Sequence, residues 1–217
     1  MTTLNDNRRV FRSEILENLN SQRMLEKVKK LAVLGRHNGG HLWYRDGLAD
    51  LTGMVENLSG YDVDDMAFLL ACYSPRVSVS RACRLAVMHW HDDSVKPSGA
   101  MSQIYATALK YRDRGFLNGK KTEAFRQAIV SGGKTDDDSA LCLDVHMAKV
   151  LEIDQKYLYQ IWNHPTVLAL FRRAQFEMIE NYSLAEFQAA VWCGYILELG
   201  HSVLKRDLVP AELKGSK

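Results

Sequence analysis

The sequence has 217 residues, of which 47% are apolar and 25% charged, and its formal net charge is only +2. This composition is typical of a folded globular protein and excludes a disordered chain, while the small net charge alone does not indicate a nucleic-acid binder. No apolar run reaches membrane-spanning length, and the first residues lack the apolar core of a signal peptide, so we expect a cytoplasmic protein without a membrane partner.

Helical periodicity dominates the first third of the chain. Residues 11–34 predict one long amphipathic helix that ends at Gly35. An apolar stripe at steps of three and four predicts a second helix over residues 44–58. Asp62 is placed to cap a buried helix that extends to Tyr73.

The remaining helices are predicted from their caps. Ser78 begins a helix to about Trp90, and a polar loop over 91–99 separates it from a helix over 100–111. Pro165 suits the first turn of a helix that extends to Asn181. The run Ser183 to Glu186 is a capping box for a last apolar helix, which Gly200 closes.

Alternation typical of strands is nearly absent, so the predicted fold is all-α and forms a single domain over residues 1–217. We expect one lobe from the N- and C-terminal helices, at about 1–95 and 153–204, and a second lobe at about 96–152. A functional groove is expected between the lobes, and the tail 205–217 is expected to fray.

The second lobe contains the most informative stretch, residues 115–151. A glycine-containing turn leads into a short helix that begins with Lys120 and Lys121 after Gly119. The free backbone N–H groups of its first turn and the two lysine ammonium groups would together bind a phosphate. Further along, Asp144 is placed to begin another helix, with His146 two positions later. A phosphate site followed by a positioned carboxylate favours an enzyme that grips a nucleic-acid backbone.

The basic residues cluster in the same region. Between Lys110 and Lys134 there are seven Lys or Arg and only two acids. Such a patch would supply the salt-dependent part of DNA binding, although a solvated helical face has the same composition.

Three motifs in this region resemble the helix–hairpin–helix DNA glycosylase superfamily, in particular its endonuclease III class. Residues 119–124 (GKKTEA) are similar to the Gly-Arg-Lys-Thr-Ala-like run that ends the hairpin in that family. Residues 143–150 (LDVHMAKV) are similar to the segment of the catalytic carboxylate. Residues 69–82 (LLACYSPRVSVSRA) resemble the family's entry to the groove, whereas 116–118 (FLN) depart from its usual Pro-Gly-Val-like hairpin apex.

The resemblance implies catalytic roles for Asp144, Lys121 and His146. Asp144 would stabilise positive charge on the sugar as the base departs, although an aspartate here also serves as a simple helix cap. Lys121 matches the nucleophilic lysine of bifunctional members, but a phosphate contact or a solvated lysine is the more ordinary role at this position. His146 is expected to have a structural role.

The same resemblance implies two further sets of residues. The set that would bind the DNA backbone is Arg114, Gly119, Lys120, Lys121 and Thr122. The set that would line a pocket for an extruded base is Tyr44, Ser74, Gln188 and Trp192, although core packing is the ordinary role of each aromatic residue. Gln188 lies in an apolar helix and needs a partner if it is buried.

No metal or cofactor is expected. The four cysteines are not clustered as the ligands of an iron–sulfur site are, and the pairs His37/His41 and His89/His91 lack a third and fourth converging ligand. The acidic run 136–138 is interpreted as a solvated loop.

The leading hypothesis is a monomeric, monofunctional DNA glycosylase that acts on a modified or damaged base. A second hypothesis is a phage-type enzyme that modifies a base on the same scaffold without cutting the glycosidic bond. A third is a DNA-binding or inhibitory module that has no catalytic activity.

Overall fold

The computed structural model describes residues 13–56, 62–75, 77–112, 119–161, 165–178 and 181–201. These residues form eleven α-helices and two 3₁₀ turns, Gly40–Leu42 and Asp138–Ala140, and they contain no β-strand, so the all-α prediction is confirmed. The helices are α1 (13–19), α2 (Gln22–His37), α3 (Trp43–Glu56), α4 (Val63–Tyr73), α5 (Val79–His91), α6 (Ser102–Arg112), α7 (Lys120–Val130), α8 (Val145–Val150), α9 (Gln155–Ile161), α10 (Pro165–Glu177) and α11 (Leu184–Glu198).

Two groups of helices surround the apolar core. Helix α11 packs most extensively against α2, and α10 packs against both of them. Helix α4 packs against α5, α6 and α7. Helix α3 contacts α4, α7 and α11 and therefore connects the two groups, while α8 packs against α11.

The α2–α11 crossing brings two backbones into direct contact. A Cβ atom added at Gly35 would lie 1.8 Å from the carbonyl oxygen of Ala190, and one added at Gly194 would lie 1.9 Å from that of Leu31. These distances are far below van der Waals contact, so only glycine permits this approach at either position.

This crossing explains why the prediction of one helix over 11–34, ended by Gly35, is wrong. Helix α2 continues through Gly35 to His37, because that glycine serves helix packing and not helix termination. The predicted helix is also interrupted near its start. Ser21 caps α2 by accepting the Met24 N–H at 3.1 Å, and α1 ends before it.

Most predicted caps are confirmed. Asp62 and Ser78 cap α4 and α5 with their side chains, and Ser183 and Glu186 form the predicted capping box of α11. Gly200 adopts a left-handed φ of 77° directly after α11. Helix α10 ends at Glu177, before the predicted Asn181; the N–H of Met178 is shared between the carbonyls of Ala174 and Gln175, which marks a tightened last turn.

The acidic run 136–138 is not merely a solvated loop. Asp136 accepts the Leu184 N–H at 2.9 Å and so bonds the start of α11. Asp138 pairs with Arg172 at 3.0 Å, and Asp137 caps the second 3₁₀ turn. The loop therefore links the end of α7 to α10 and α11.

Several predictions fall outside the described residues. These are the hairpin turn at 113–118 with Arg114, the position Leu58 of the α3 stripe, and the tail 205–217. The division into two lobes remains a prediction. In the described part of the chain, none of the helices combines the length and the apolar character that crossing a bilayer requires.

Candidate functional site

Asp144 begins α8 with an extended backbone, and its carboxylate bonds in two directions. Oδ1 accepts the backbone N–H groups of His146 and Met147, both at 2.9 Å. Oδ2 accepts the indole N–H of Trp192, from α11, at 3.2 Å. The predicted carboxylate is thus also the predicted helix cap, and three N–H donors hold it in a half-buried position.

The ring of His146 packs against the ring of Trp192, next to this contact. The His146 ring is half-buried and meets the Trp192 ring edge-on, with centroids 6.1 Å apart and an interplanar angle of 87°. Its Nδ1 atom is buried without a hydrogen-bond partner among the described residues. The histidine therefore packs against the residue that bonds Asp144 and makes no bond to the carboxylate through its ring.

Tyr44 and Gln188 form the buried part of the site. The Tyr44 hydroxyl donates to Oε1 of Gln188 at 3.1 Å, and both residues are almost completely buried, at 3% and 2% exposure. This bond supplies the partner that a buried Gln188 requires. Burial raises the pKa of Tyr44 well above its ordinary value, with smaller contributions from Cys142 and Asp144, so the hydroxyl stays neutral.

Cys142 connects these groups to Lys121. Its thiol lies 3.7 Å from the Lys121 carbonyl oxygen and interacts with the Tyr44 hydroxyl. Burial raises the pKa of the thiol to about 12; the charge of Lys121 opposes this shift and that of Asp144 adds to it. This shift favours the neutral thiol over the nucleophilic thiolate near neutral pH.

Lys121 is directed toward the interior of the protein. Its ammonium group lies 3.4 Å from the hydroxyl of Ser74, a residue that is 7% exposed at the end of α4. The lysine side chain is half-buried, and none of the ion pairs in the described part of the chain includes it. The structure thus places the ammonium group of Lys121 beside the hydroxyl of Ser74.

The other predicted backbone contacts lie at the start of α7. Gly119 takes the N-cap position, exposed and without a side-chain cap, and Thr122 donates from its hydroxyl to the Gly119 carbonyl at 2.8 Å. Lys120 is half-buried in the first turn.

Aromatic rings pack around Trp43, which contacts the indole that bonds the carboxylate. Trp43 at the start of α3 lies 5.8 Å from Trp192 and 6.1 Å from Phe125, measured between ring centroids, and contacts Tyr44 edge-on at 5.1 Å. Trp43 and Trp192 keep partly exposed rings, whereas Tyr44 and Phe125 are buried. The exposed aromatic surface of the site therefore comes from the two tryptophans.

Five segments thus bring together most of the predicted residues: α3, the end of α4, the start of α7, the segment before α8, and α11. Sequence reasoning gave no role to Cys142, whose only signal was its place two residues before Asp144 in a buried run. It also left Phe125 unassigned, since a phenylalanine at helical spacing resembles any core residue.

In the described part of the chain, no cluster of three or more His, Cys, Asp or Glu has the geometry of a metal site.

Comparison with known proteins gives one match. The model of DUF7178, described as a family of unknown function, matches residues 13–197. The chain belongs to this family. The matched range includes α1 through most of α11, and hence every residue of the site described above. No curated protein and no solved structure matches the chain.

Proposed function

We propose that this protein is a DNA glycosylase-like enzyme that extrudes one nucleotide and excises its modified or damaged base. The observation that supports this most is the setting of Asp144. A half-buried carboxylate is held by three N–H donors, one of them the indole of the partly exposed Trp192, whose ring packs against that of Trp43.

The carboxylate suits a reaction in which positive charge develops on a sugar. Its two oxygens are oriented before any substrate arrives, so little reorganisation is needed when the charge forms. A carboxylate offers about four acceptor positions, and three are occupied by protein donors. The remaining capacity is enough to orient an attacking water.

The two tryptophans suit an extruded base. Flipped bases are held by stacking between aromatic side chains and by hydrogen bonds to their edges. Trp43 and Trp192 present half-buried rings for stacking. Tyr44 and Gln188 are buried and bonded to each other, so in this proposal they pack beneath the tryptophans and do not contact the base.

The DNA backbone would contact the start of α7, as part of a helix–hairpin–helix element bordering a groove between two lobes. Gly119 is exposed there without a side-chain cap, so the first N–H groups of α7 are available to a phosphate. Lys120 would add positive charge at the same point.

A base-release assay on oligonucleotides with different lesions and modified bases tests this proposal. Asp144→Asn keeps an oxygen that can accept the α8 N–H groups but removes the negative charge. We expect it to abolish base release while DNA affinity stays the same or rises. Wild-type turnover in this variant would show that Asp144 is only a helix cap.

A second candidate is an enzyme that attaches or exchanges a group on the base and leaves the glycosidic bond intact. The Lys121–Ser74 pair favours it, because monofunctional excision assigns no chemical step to this ammonium and hydroxyl. Mass analysis of the nucleosides after reaction distinguishes the two: excision leaves an abasic site, whereas modification leaves an intact nucleoside of changed mass. Binding of DNA by the wild type without either activity would favour the DNA-binding or inhibitory module that has no catalytic activity.

A further inference from the structure

We infer that Trp192 is a positioning residue for Asp144, and that its indole N–H matters more to the reaction than its ring surface. This inference rests on the proposed function. The sequence predicts Trp192 as a wall of the base pocket, for which any aromatic ring would serve. The structure gives it a bond that requires a ring N–H donor, which a phenylalanine lacks.

The bond completes the support of the carboxylate. Both α8 donors reach Oδ1, and the indole N–H of Trp192 is the donor that reaches Oδ2 in the described part of the chain. Without it, one oxygen of Asp144 would be held by backbone and the other would lack a protein donor. Rotation of the carboxylate about its Cβ–Cγ bond would then be restrained only through Oδ1, and its charge would be held less firmly.

The indole is itself held firmly. Trp43 packs on it at 5.8 Å, and His146 meets it edge-on at 6.1 Å. Gln188, one turn earlier on α11, is bonded to the buried Tyr44. Two successive turns of α11 are thus tied to α3 and α8, and the indole N–H is aimed before substrate binds.

Trp192→Phe separates the two roles, because phenylalanine keeps an aromatic face and removes the N–H donor. If Trp192 positions Asp144, kcat should fall about tenfold, the scale for losing one hydrogen bond to a charged group, with little change in KM. Trp192→Ala should lower kcat at least as much and raise KM as well, since stacking is also lost. Trp90→Phe, which removes an indole from α5, should keep wild-type kinetics.

Nuclear magnetic resonance of ¹⁵N-tryptophan-labelled protein provides a readout that does not depend on activity. The chain has four tryptophans and hence four indole N–H signals, which single Trp→Phe variants assign. The Trp192 signal should shift strongly in Asp144→Asn, while that of Trp90 should not move.

The two arms fail in different ways. A wild-type kcat in Trp192→Phe would overturn the positioning role. So would a Trp192 indole chemical shift that does not change in Asp144→Asn. If no oligonucleotide is processed by the wild type, the proposed function fails, and the resonance still decides whether Trp192 holds Asp144. A folded Trp192→Phe with a reduced kcat and a normal denaturation midpoint would support the inference, because a merely structural role would appear in that midpoint.

Discussion

At the α2–α11 crossing, backbone meets backbone, and the contact depends on the absence of side chains at Gly35 and Gly194. At the start of α8, the contact depends on side chains that reach across the molecule, with Asp144 bonded to Trp192. The crossing has no room for a side-chain atom at either glycine. The Asp144–Trp192 contact depends instead on an N–H donor and a carboxylate acceptor. Stability and function are therefore expected to respond to different substitutions.

The largest effect is expected at the crossing. Gly194→Ala places a methyl group against the Leu31 carbonyl, so the two helices must separate, at a cost of about 3 kcal/mol or more in the free energy of unfolding. Urea denaturation measures this cost.

Gly53→Ala is the matched control, because Gly53 is exposed within α3 and nothing lies within 4 Å of an added Cβ. It should stabilise the protein by up to ~1 kcal/mol through helix propensity. Equal effects of the two substitutions would show that α2 and α11 are not in backbone contact.

A smaller effect on stability is expected at Asp144. Asp144→Ala removes the cap of α8 and should lower the free energy of unfolding by ~1 kcal/mol, a typical loss for an N-cap. Asp144→Asn keeps an acceptor for the α8 N–H groups and should lose less than half as much. Denaturation of both variants, together with base release, checks the comparison: both should be inactive, and only the alanine variant clearly destabilised.

The two lysines of α7 are expected to differ. Lys121→Ala removes the interior ammonium beside Ser74 and should reduce turnover, while Lys120→Ala should weaken DNA binding about equally for all sequences and flatten its salt dependence. Turnover and affinity at several salt concentrations separate the two; identical behaviour would place both lysines on the DNA backbone.

Strand cleavage is a separate test of Lys121. We expect base release without efficient β-elimination, leaving an intact abasic strand. Treatment with borohydride would trap a covalent protein–DNA adduct if Lys121 formed a Schiff base. An adduct that disappears in Lys121→Ala would show a bifunctional enzyme.

The smallest effect is expected at Glu152, which follows α8 with a left-handed φ of 57°. Hydrogen bonds from Arg23 and then from Lys27 lower its pKa from 4.5 to about 2. Because the folded pKa is depressed, the ion pairs stabilise the protein above about pH 4.5, and this contribution is lost as the pH falls toward 2.

Since the Glu152 side chain is 37% exposed, solvent screening keeps the contribution below ~1 kcal/mol. Glu152→Gln should be less stable than the wild type at pH 6, and the difference should vanish near pH 2. It should also shrink in 0.5 M salt, at roughly a 4 Å screening length. A difference that is independent of pH would assign the effect to packing.

The sequence predicts those features that depend on neighbouring residues. The caps at Asp62, Ser78 and Ser183 are local, because each side chain bonds an N–H two or three residues away. Gly35 was misread because a glycine that ends a helix and one that admits a neighbouring backbone are identical in a single sequence. The second kind is visible only once α11 is in place.

The site shows the same limit. Asp144 was predicted from its motif and its place before a helix, and the need of Gln188 for a partner followed from its apolar surroundings. The identity of that partner, Tyr44, and the bond from Trp192 to Asp144 join residues that are far apart in the chain. Periodicity and composition carry no information on such pairs, so their geometry had to come from the fold.

The α2–α11 crossing also bears on how the chain matures during synthesis. A ribosome makes α2 among the first helices and α11 as the last of those described. Until α11 emerges, the backbone of α2 at Leu31 and Gly35 lacks its contacts with Gly194 and Ala190, and Asp144 lacks the indole N–H of Trp192. The packing that depends on α11 is therefore completed only after residues 184–198 have left the ribosome, and during that interval the α11-facing surface of α2 is exposed in the way that chaperones recognise.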